Sequence, residues 1–437
     1  MRNTAVNLNR ARFAILTCVI TFGAVALSVS VFPAGTPPQD KPLQYDVNVI
    51  NIEVSVRVFK GDTFADHLTI NDFEVFENGK PQQIEAVYLI KKTDIKREEG
   101  LEGSAPRMGR PQLARQFVLL FDMSDYLAEV DKALEYFFEK VILPGDSLMV
   151  ITPTSQYRMR WDVLNKKPSA EIKEELAGRL RRDIIMGCSE YRATIDTLYR
   201  ILNADPNGEF GGIGGVNNPA EQLQLYSTTL SRLEALRKVD EKSLLQFAGV
   251  LRSLPGQKYV YLFHQMESIP QFSPQAVAMK MFEDQGDPLK VFAYMENFDF
   301  NTRSFRFNVE AVKKAYADSS ITVHFLFITK KPPERLPVTA YKSSKDAMDT
   351  KKDVVMVEHS EDIFSAFGEV ARATGGISET SVNAAAAFEK AVNASENYYL
   401  IYYRPKDYKA NGKFHEIHVK VKGGGYQVSH RAGYFAN

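Results

Sequence analysis

Residues 117–126 read FVLLFDMSDY, five apolar positions running into Asp122, Ser124 and Asp125 and then into a helical stretch. A continuous apolar run of strand length, closed by turn-forming polar residues, is the pattern of a parallel strand buried on both faces. The carboxyl ends of such strands open on the crevice where α/β sheets hold ligands. Asp122, Ser124, Asp125 and Tyr126 are therefore placed at the mouth of a site. Leu127, Val130, Ala133, Leu134, Phe137, Phe138, Val141 and Ile142 then recur at three- and four-residue steps until Pro144-Gly145-Asp146. That spacing predicts an amphipathic helix packed on the sheet. Residues 147–152, 258–264 and 321–329 read as further buried strands, and 157–163 alternates as an edge strand. Helical periodicity covers 169–185, 192–202, 220–254, 309–318, 361–374 and 384–394.

The flanks follow a different period. Between 45 and 59, Val47, Val49, Ile52, Val54, Val56 and Val58 alternate with polar residues, with one slip at Ile50-Asn51. Asn78-Gly79 lies between two more alternating segments, a strong hairpin signal. Residues 397–405, 414–421 and 425–432 alternate in the same way near the C-terminus. Small antiparallel groups with one apolar face gain stability by burying those faces together. We therefore expect the two ends of the chain to form one β-sandwich around the α/β segment.

These residues resemble a von Willebrand factor type A (VWA) domain, in the form carried by a bacterial VWA-related family of the Acidobacteria type. Asp122 and Ser124 match the start of the Asp-x-Ser-x-Ser metal signature, with Tyr126 at the second serine position. The hairpin DFEVFENGKPQ (72–82), LRSLPGQKYVYLFH (251–264), VARATGG (370–376), YLIYYRP (399–405) and RAGYF (431–435) are similar to the family's remaining landmarks. The resemblance implies a Rossmann-type, mostly parallel sheet flanked by helices. It also implies a protein partner, with Mg²⁺ or another divalent cation bridging the partner's carboxylate. Metal ligands would be Asp122 and Ser124, and Ser189 or Thr194 would stand for the family's loop threonine. Where the family ends its fourth strand in Thr-Asp-Gly, this chain has His264-Gln265-Met266. Imidazole is a poor Mg²⁺ ligand, and a hard cation wants an octahedral set of oxygens. The expectation is thus a degenerate site that works without a cofactor.

Lysine plus arginine and aspartate plus glutamate balance at 54 each, which gives no field to gather nucleic acid. Over 437 residues, 44% hydrophobic and 25% charged content reads as two or three globular domains. Arg2, Arg10 and Arg12 precede an acid-free apolar run at 13–32 that ends near Pro33-Ala34-Gly35. That is an export signal, cleaved or retained as an anchor, because the run approaches the ~20 residues that span a bilayer. Either form puts the body outside the cytoplasm: periplasmic, extracellular or anchored, with membrane contact only through an uncleaved N-terminus. Cys18 lies in that run and Cys188 stands alone after it, so stability must come from the core instead of disulfides. The glycines of 207–215 match no phosphate-binding spacing and read as a surface loop. His324, inside an apolar strand, reads as a satisfied core residue.

No nucleophile elbow, zinc-type histidine pair or cysteine–histidine signature occurs, so an enzyme reading has no residues to rest on. The expected organisation is a signal or anchor at 1–34, a tether at 35–44, sandwich parts at 45–95 and 397–437, and a linker at 96–114. The VWA-like domain is expected at 115–396, with an insertion at about 265–308. The function expected is an exported or tethered protein-binding module. Its rivals are an envelope scaffold with no ligand at the rim and an uncharacterised hydrolase.

Overall fold

The computed structural model describes residues 50–100, 111, 113–159, 164, 166–203, 219–237, 239–272, short pieces of 277–292, and 307–318, 321–329, 354–358 and 360–436. The signal or anchor, the tether and the glycine-rich loop of the sequence reading lie outside these residues. Among the described residues no helix is long and apolar enough to cross a membrane.

The fold is mixed α/β, with one curled antiparallel sheet and one largely parallel sheet. In the parallel sheet, β6 (Arg115–Asp122) is flanked by β7 (Ser147–Ile151) and β9 (Gln257–Gln265). Beyond β9 lie β11 (Ile321–Ile328) and β13 (Ser378–Ser381), all parallel, and β8 (Gln156–Met159) closes the far edge antiparallel to β7. Alternation explains the continuous apolar run of β6. Phe117, Leu119 and Phe121 pack under α1 (Ala128–Tyr136), α2 (Ser169–Gly187) and α8 (Ala384–Glu396). Val118 and Leu120 pack under α5 (Glu241–Arg252), α6 (Val309–Asp318) and α7 (Glu361–Ala373) on the other face. A strand covered on both sides has no polar face to show.

The ends of the chain meet in the other sheet. β14 (Asn397–Arg404) lies between β1 (Ile52–Lys60) and β4 (Lys80–Lys91), antiparallel to both. β3 (Phe73–Glu77) and β15 (Phe414–Val421) continue beyond β4. The chain's last strands divide between the two ends of the order, β16 (Gln427–His430) on β1 and β17 (Gly433–Phe435) on β15. Val54, Val56, Tyr399, Ile401, Ile417 and Val419 share one core. The expected two-sheet sandwich is thus corrected to a single sheet curled on itself. Period-two alternation specifies one buried face, and curling satisfies it as well as stacking does. Tyr398 and Leu400, on the reverse face of β14, pack with Ala86, Tyr88, Ile90 and Leu113. That makes β14 a strand buried on both sides.

Three further readings change. Residues within the expected linker form part of β5 (Asp94–Gly100), paired with β4. The helix expected over 220–254 is two, α4 (Pro219–Arg237) and α5, because the Asp240 carboxylate caps α5 through Ser243 N at 3.1 Å. The expected insertion contributes β10 (Ser268–Phe272), which pairs antiparallel with β12 (Val354–Glu358), a strand the sequence reading did not expect. β10 packs on α3 (Ser189–Leu202) and α4 through Ile269.

A polar seam joins the two sheets. Arg57, 2% exposed, donates to Gly375 O at 3.0 Å and to Thr322 Oγ1 at 3.3 Å. Gln257 accepts from Ser55 Oγ at 3.1 Å and donates to Glu53 at 2.9 Å. Gly375 sits at φ +77°, and a Cβ on Gly376 would lie 1.9 Å from Val323 O. The glycine pair that reads in sequence as a helix stop also lets β11 and the curled sheet approach the end of α7.

Candidate functional site

The parallel register of β6 and β9 puts Asp122 opposite His264 at the carboxyl ends of both strands. Asp122 Oδ2 accepts from His264 Nδ1. The imidazole is 2% exposed and lies near-parallel to Phe325 and Phe327, each with its centroid 6.0 Å away. A carboxylate in such surroundings needs a donor to offset its desolvation, and the imidazole supplies it.

The loop after Asp122 is tied down from two sides. Gln265 Oε1 accepts from Ser124 N (2.9 Å), Ser124 Oγ (3.0 Å) and Asp125 N (2.8 Å). From the junction of α2 and α3, Arg192 Nη1 donates to Ser124 O at 2.8 Å and Cys188 Sγ to Met123 O at 3.1 Å. These contacts satisfy backbone groups that a buried turn would otherwise leave unpaired.

The remaining sequence candidates disperse. Tyr126 OH donates to Asp131 Oδ1 at 2.5 Å, and Arg181 lies 5.0 Å from its ring centroid. Burial first, and then Asp131, push that phenol well above its usual range. Ser189 Oγ donates to Met186 O at 2.7 Å, and Thr194 Oγ1 donates to Glu190 O at 2.7 Å inside α3. Thr194 is thus engaged within α3, and Ser189 ties the start of α3 to the end of α2. The structure brings together Asp122, Ser124, Asp125 and His264.

Sequence reasoning missed Gln265, Arg192 and Cys188 as parts of this loop's support. Gln265 was legible as a polar residue closing an apolar strand. The other two carry no local signal, because their partners are backbone carbonyls far away in sequence.

The donor set does not fit the octahedral oxygen cage that the resemblance implies. Asp122 faces an imidazole, Ser124 Oγ faces a carboxamide oxygen, and among the described residues no three His, Cys, Asp or Glu side chains converge to hold a metal ion. What remains is a partly exposed Asp122 carboxylate beside a loop held by Gln265, Arg192 and Cys188.

No family model matches the chain, and no curated protein matches it. Among solved structures, the crystal structure of the human COPII-coat protein Sec24c aligns with 77% of this chain and 45% of that one, at 5% identity and a TM-score of 0.26. This chain therefore spans less than half of that chain's length, and a likeness so slight carries no argument about function.

Proposed function

We propose that this chain is an exported or membrane-tethered binding module. In this reading a VWA-like α/β layer, built of 115–396 and carried by the curled sheet, presents the mouth beside Asp122 to a protein partner without a bridging metal. The strand order β13-β11-β9-β6-β7-β8, with its antiparallel edge, supports the VWA-like part of the reading. The observation that carries the metal-free part is Gln265. It stands within the His264-Gln265-Met266 run that replaces the family's Thr-Asp-Gly, and its neutral amide oxygen gathers three donors of the loop. An aspartate there would bring charge for a cation, whereas a glutamine fixes the loop and brings none.

The polarity of recognition changes with it. Asp122 keeps acceptor capacity beyond its bond to His264, and its side chain is 11% exposed. The group that suits it on a partner is a donor, an amide or a cation, instead of a carboxylate held through Mg²⁺. The test is capture of envelope proteins by the immobilised chain, with and without EDTA. A partner retained in EDTA and lost on Asp122→Ala supports the reading. Release by EDTA, or capture indifferent to Asp122→Ala, sinks it.

A further inference from the structure

At the opposite end of the parallel sheet from the mouth, a cavity of about 1080 Å³ opens between the outer face of the curled sheet and α6 and α7. Its floor is β3, β15 and β16, through Phe76, His418, Lys420 and Ser429, and its wall carries Lys313, Lys314 and Arg372. Residues 372–377 precede β13 and so lie at the amino ends of the strands.

The charges in this groove are unevenly matched. Lys313 pairs with Glu310 and, at 3.4 Å, with Glu369. Lys314, Arg372 and Lys420 have no carboxylate partner among the described residues, and Glu416 is the one other acid in the lining. Two of those cations are held in place without being neutralised. Lys420 Nζ lies 5.1 Å from the Phe76 centroid, and Lys314 Nζ lies 5.7 Å from that of Phe414. A cation over an aromatic face is positioned but keeps its N–H donors for an anion.

We propose that this groove binds an acidic peptide segment of a partner protein, with carboxylates on Lys314, Arg372 and Lys420 and apolar side chains against Phe59, Phe76 and Phe414. The mixture of separated cations, phenyl rings and two carboxylates suits discrete acidic residues interleaved with apolar ones. A continuous phosphate backbone would meet Glu310 and Glu416.

The test uses the purified chain and a fluorescein-labelled peptide, Glu-Glu-Phe-Glu-Glu-Phe-Glu-Glu, read by fluorescence anisotropy at low salt. Saturable binding is expected, weakening as salt rises. The pair Lys314→Glu and Lys420→Glu is expected to weaken it by about tenfold or more, and the exposed Arg372→Glu alone to weaken it less. Lys132→Glu on α1 and Asp122→Ala at the mouth are expected to leave it unchanged, which separates this site from the one proposed above. Circular dichroism melting identifies any variant that has failed to fold, and Arg372→Glu then carries the test. The proposal is overturned by absence of saturable binding or by binding indifferent to the three reversals. Tighter, equally reversal-sensitive binding of a single-stranded oligonucleotide or of heparin overturns it too, since the occupant would then be another polyanion.

Discussion

Glu77, inside the curled sheet, and Asp122, at the mouth of the parallel one, each accept from a histidine Nδ1, yet the two carboxylates are set differently. Glu77 takes His415 Nδ1 at 2.8 Å, Tyr403 OH at 2.7 Å and Tyr434 OH at 3.1 Å. Those donors come from β15, β14 and β17, so one side chain ties three strands to β3. Burial first, with Glu77 beside them, pushes both phenols well up, so they stay protonated donors. Asp122 has the imidazole of His264 alone among the described residues. A carboxylate whose acceptor sites are filled from within works as a structural tie, and one left with spare acceptor capacity at a mouth is available to a partner.

The largest effect that can break this comparison is Glu77→Ala. It strands three buried donors together, and each buried donor left without its acceptor costs about 1–3 kcal/mol. Urea unfolding followed by circular dichroism should show that loss. A cost near zero would mean that the tyrosines find water instead, and the tie reading would fail.

Acidification comes next. His324, fully buried in β11, accepts from Ile377 N at 3.3 Å through Nδ1, and its Nε2 meets Ser395 Oγ at 2.7 Å. Ser395 Oγ donates in turn to Ala391 O at 2.8 Å, which fixes the neutral ring with its proton on Nε2. Burial holds this imidazole well below its ordinary range. The folded chain refuses a proton that the unfolded chain accepts, so stability is complete above about pH 6.5 and falls as pH drops below it. The slope is bounded at about 1.4 kcal/mol per pH unit for each such group. Thermal unfolding from pH 7.5 to 5 should show the decline, and His324→Gln should flatten it. His430, which accepts from Val419 N and is shifted down by burial, adds to the loss in the same direction.

Asp122→Asn is expected to cost less, about 1 kcal/mol, because it keeps the shape and weakens one charge-assisted bond. A loss as large as that of Glu77→Ala would erase the distinction between the two carboxylates. Thermal melts of both variants in one buffer give the comparison directly.

How much of this was legible depends on how local the cause is. The run at 117–121 is apolar because helices cover both faces of β6, and that shows in any window of the sequence. Asn78 and Gly79 take φ of 49° and 77°, the backbone that an Asn-Gly hairpin announces. Curvature left no such mark: Val54 and Val419 alternate alike whether their strands stack or curl. At the mouth, Asp122 and Ser124 stood out by pattern and His264 by its departure from the pattern. Gln265 was read as a missing acid when it is a present acceptor, because its three donors lie 140 and 141 positions away.

The smallest expected effect is the one with most to say about the mouth. A cation with a dissociation constant of 1 mM or weaker would add no more than about 0.4 kcal/mol at 1 mM Mg²⁺, a shift close to the noise of a melt, so calorimetric titration with Mg²⁺ and Mn²⁺ is the better measurement. No resolvable heat is expected from the native chain, since Asp122 is engaged by His264 and Ser124 Oγ by Gln265. The combined change Tyr126→Ser and Gln265→Asp restores the two oxygen donors by which this chain departs from the Asp-x-Ser-x-Ser and Thr-Asp-Gly pattern. It also frees Ser124 Oγ from the carboxamide. Heat of binding is therefore expected in that double variant, and its loss on further Asp122→Ala. Micromolar Mg²⁺ binding by the native chain, abolished by Asp122→Ala, would overturn the metal-free reading of the mouth and make its carboxylate a ligand.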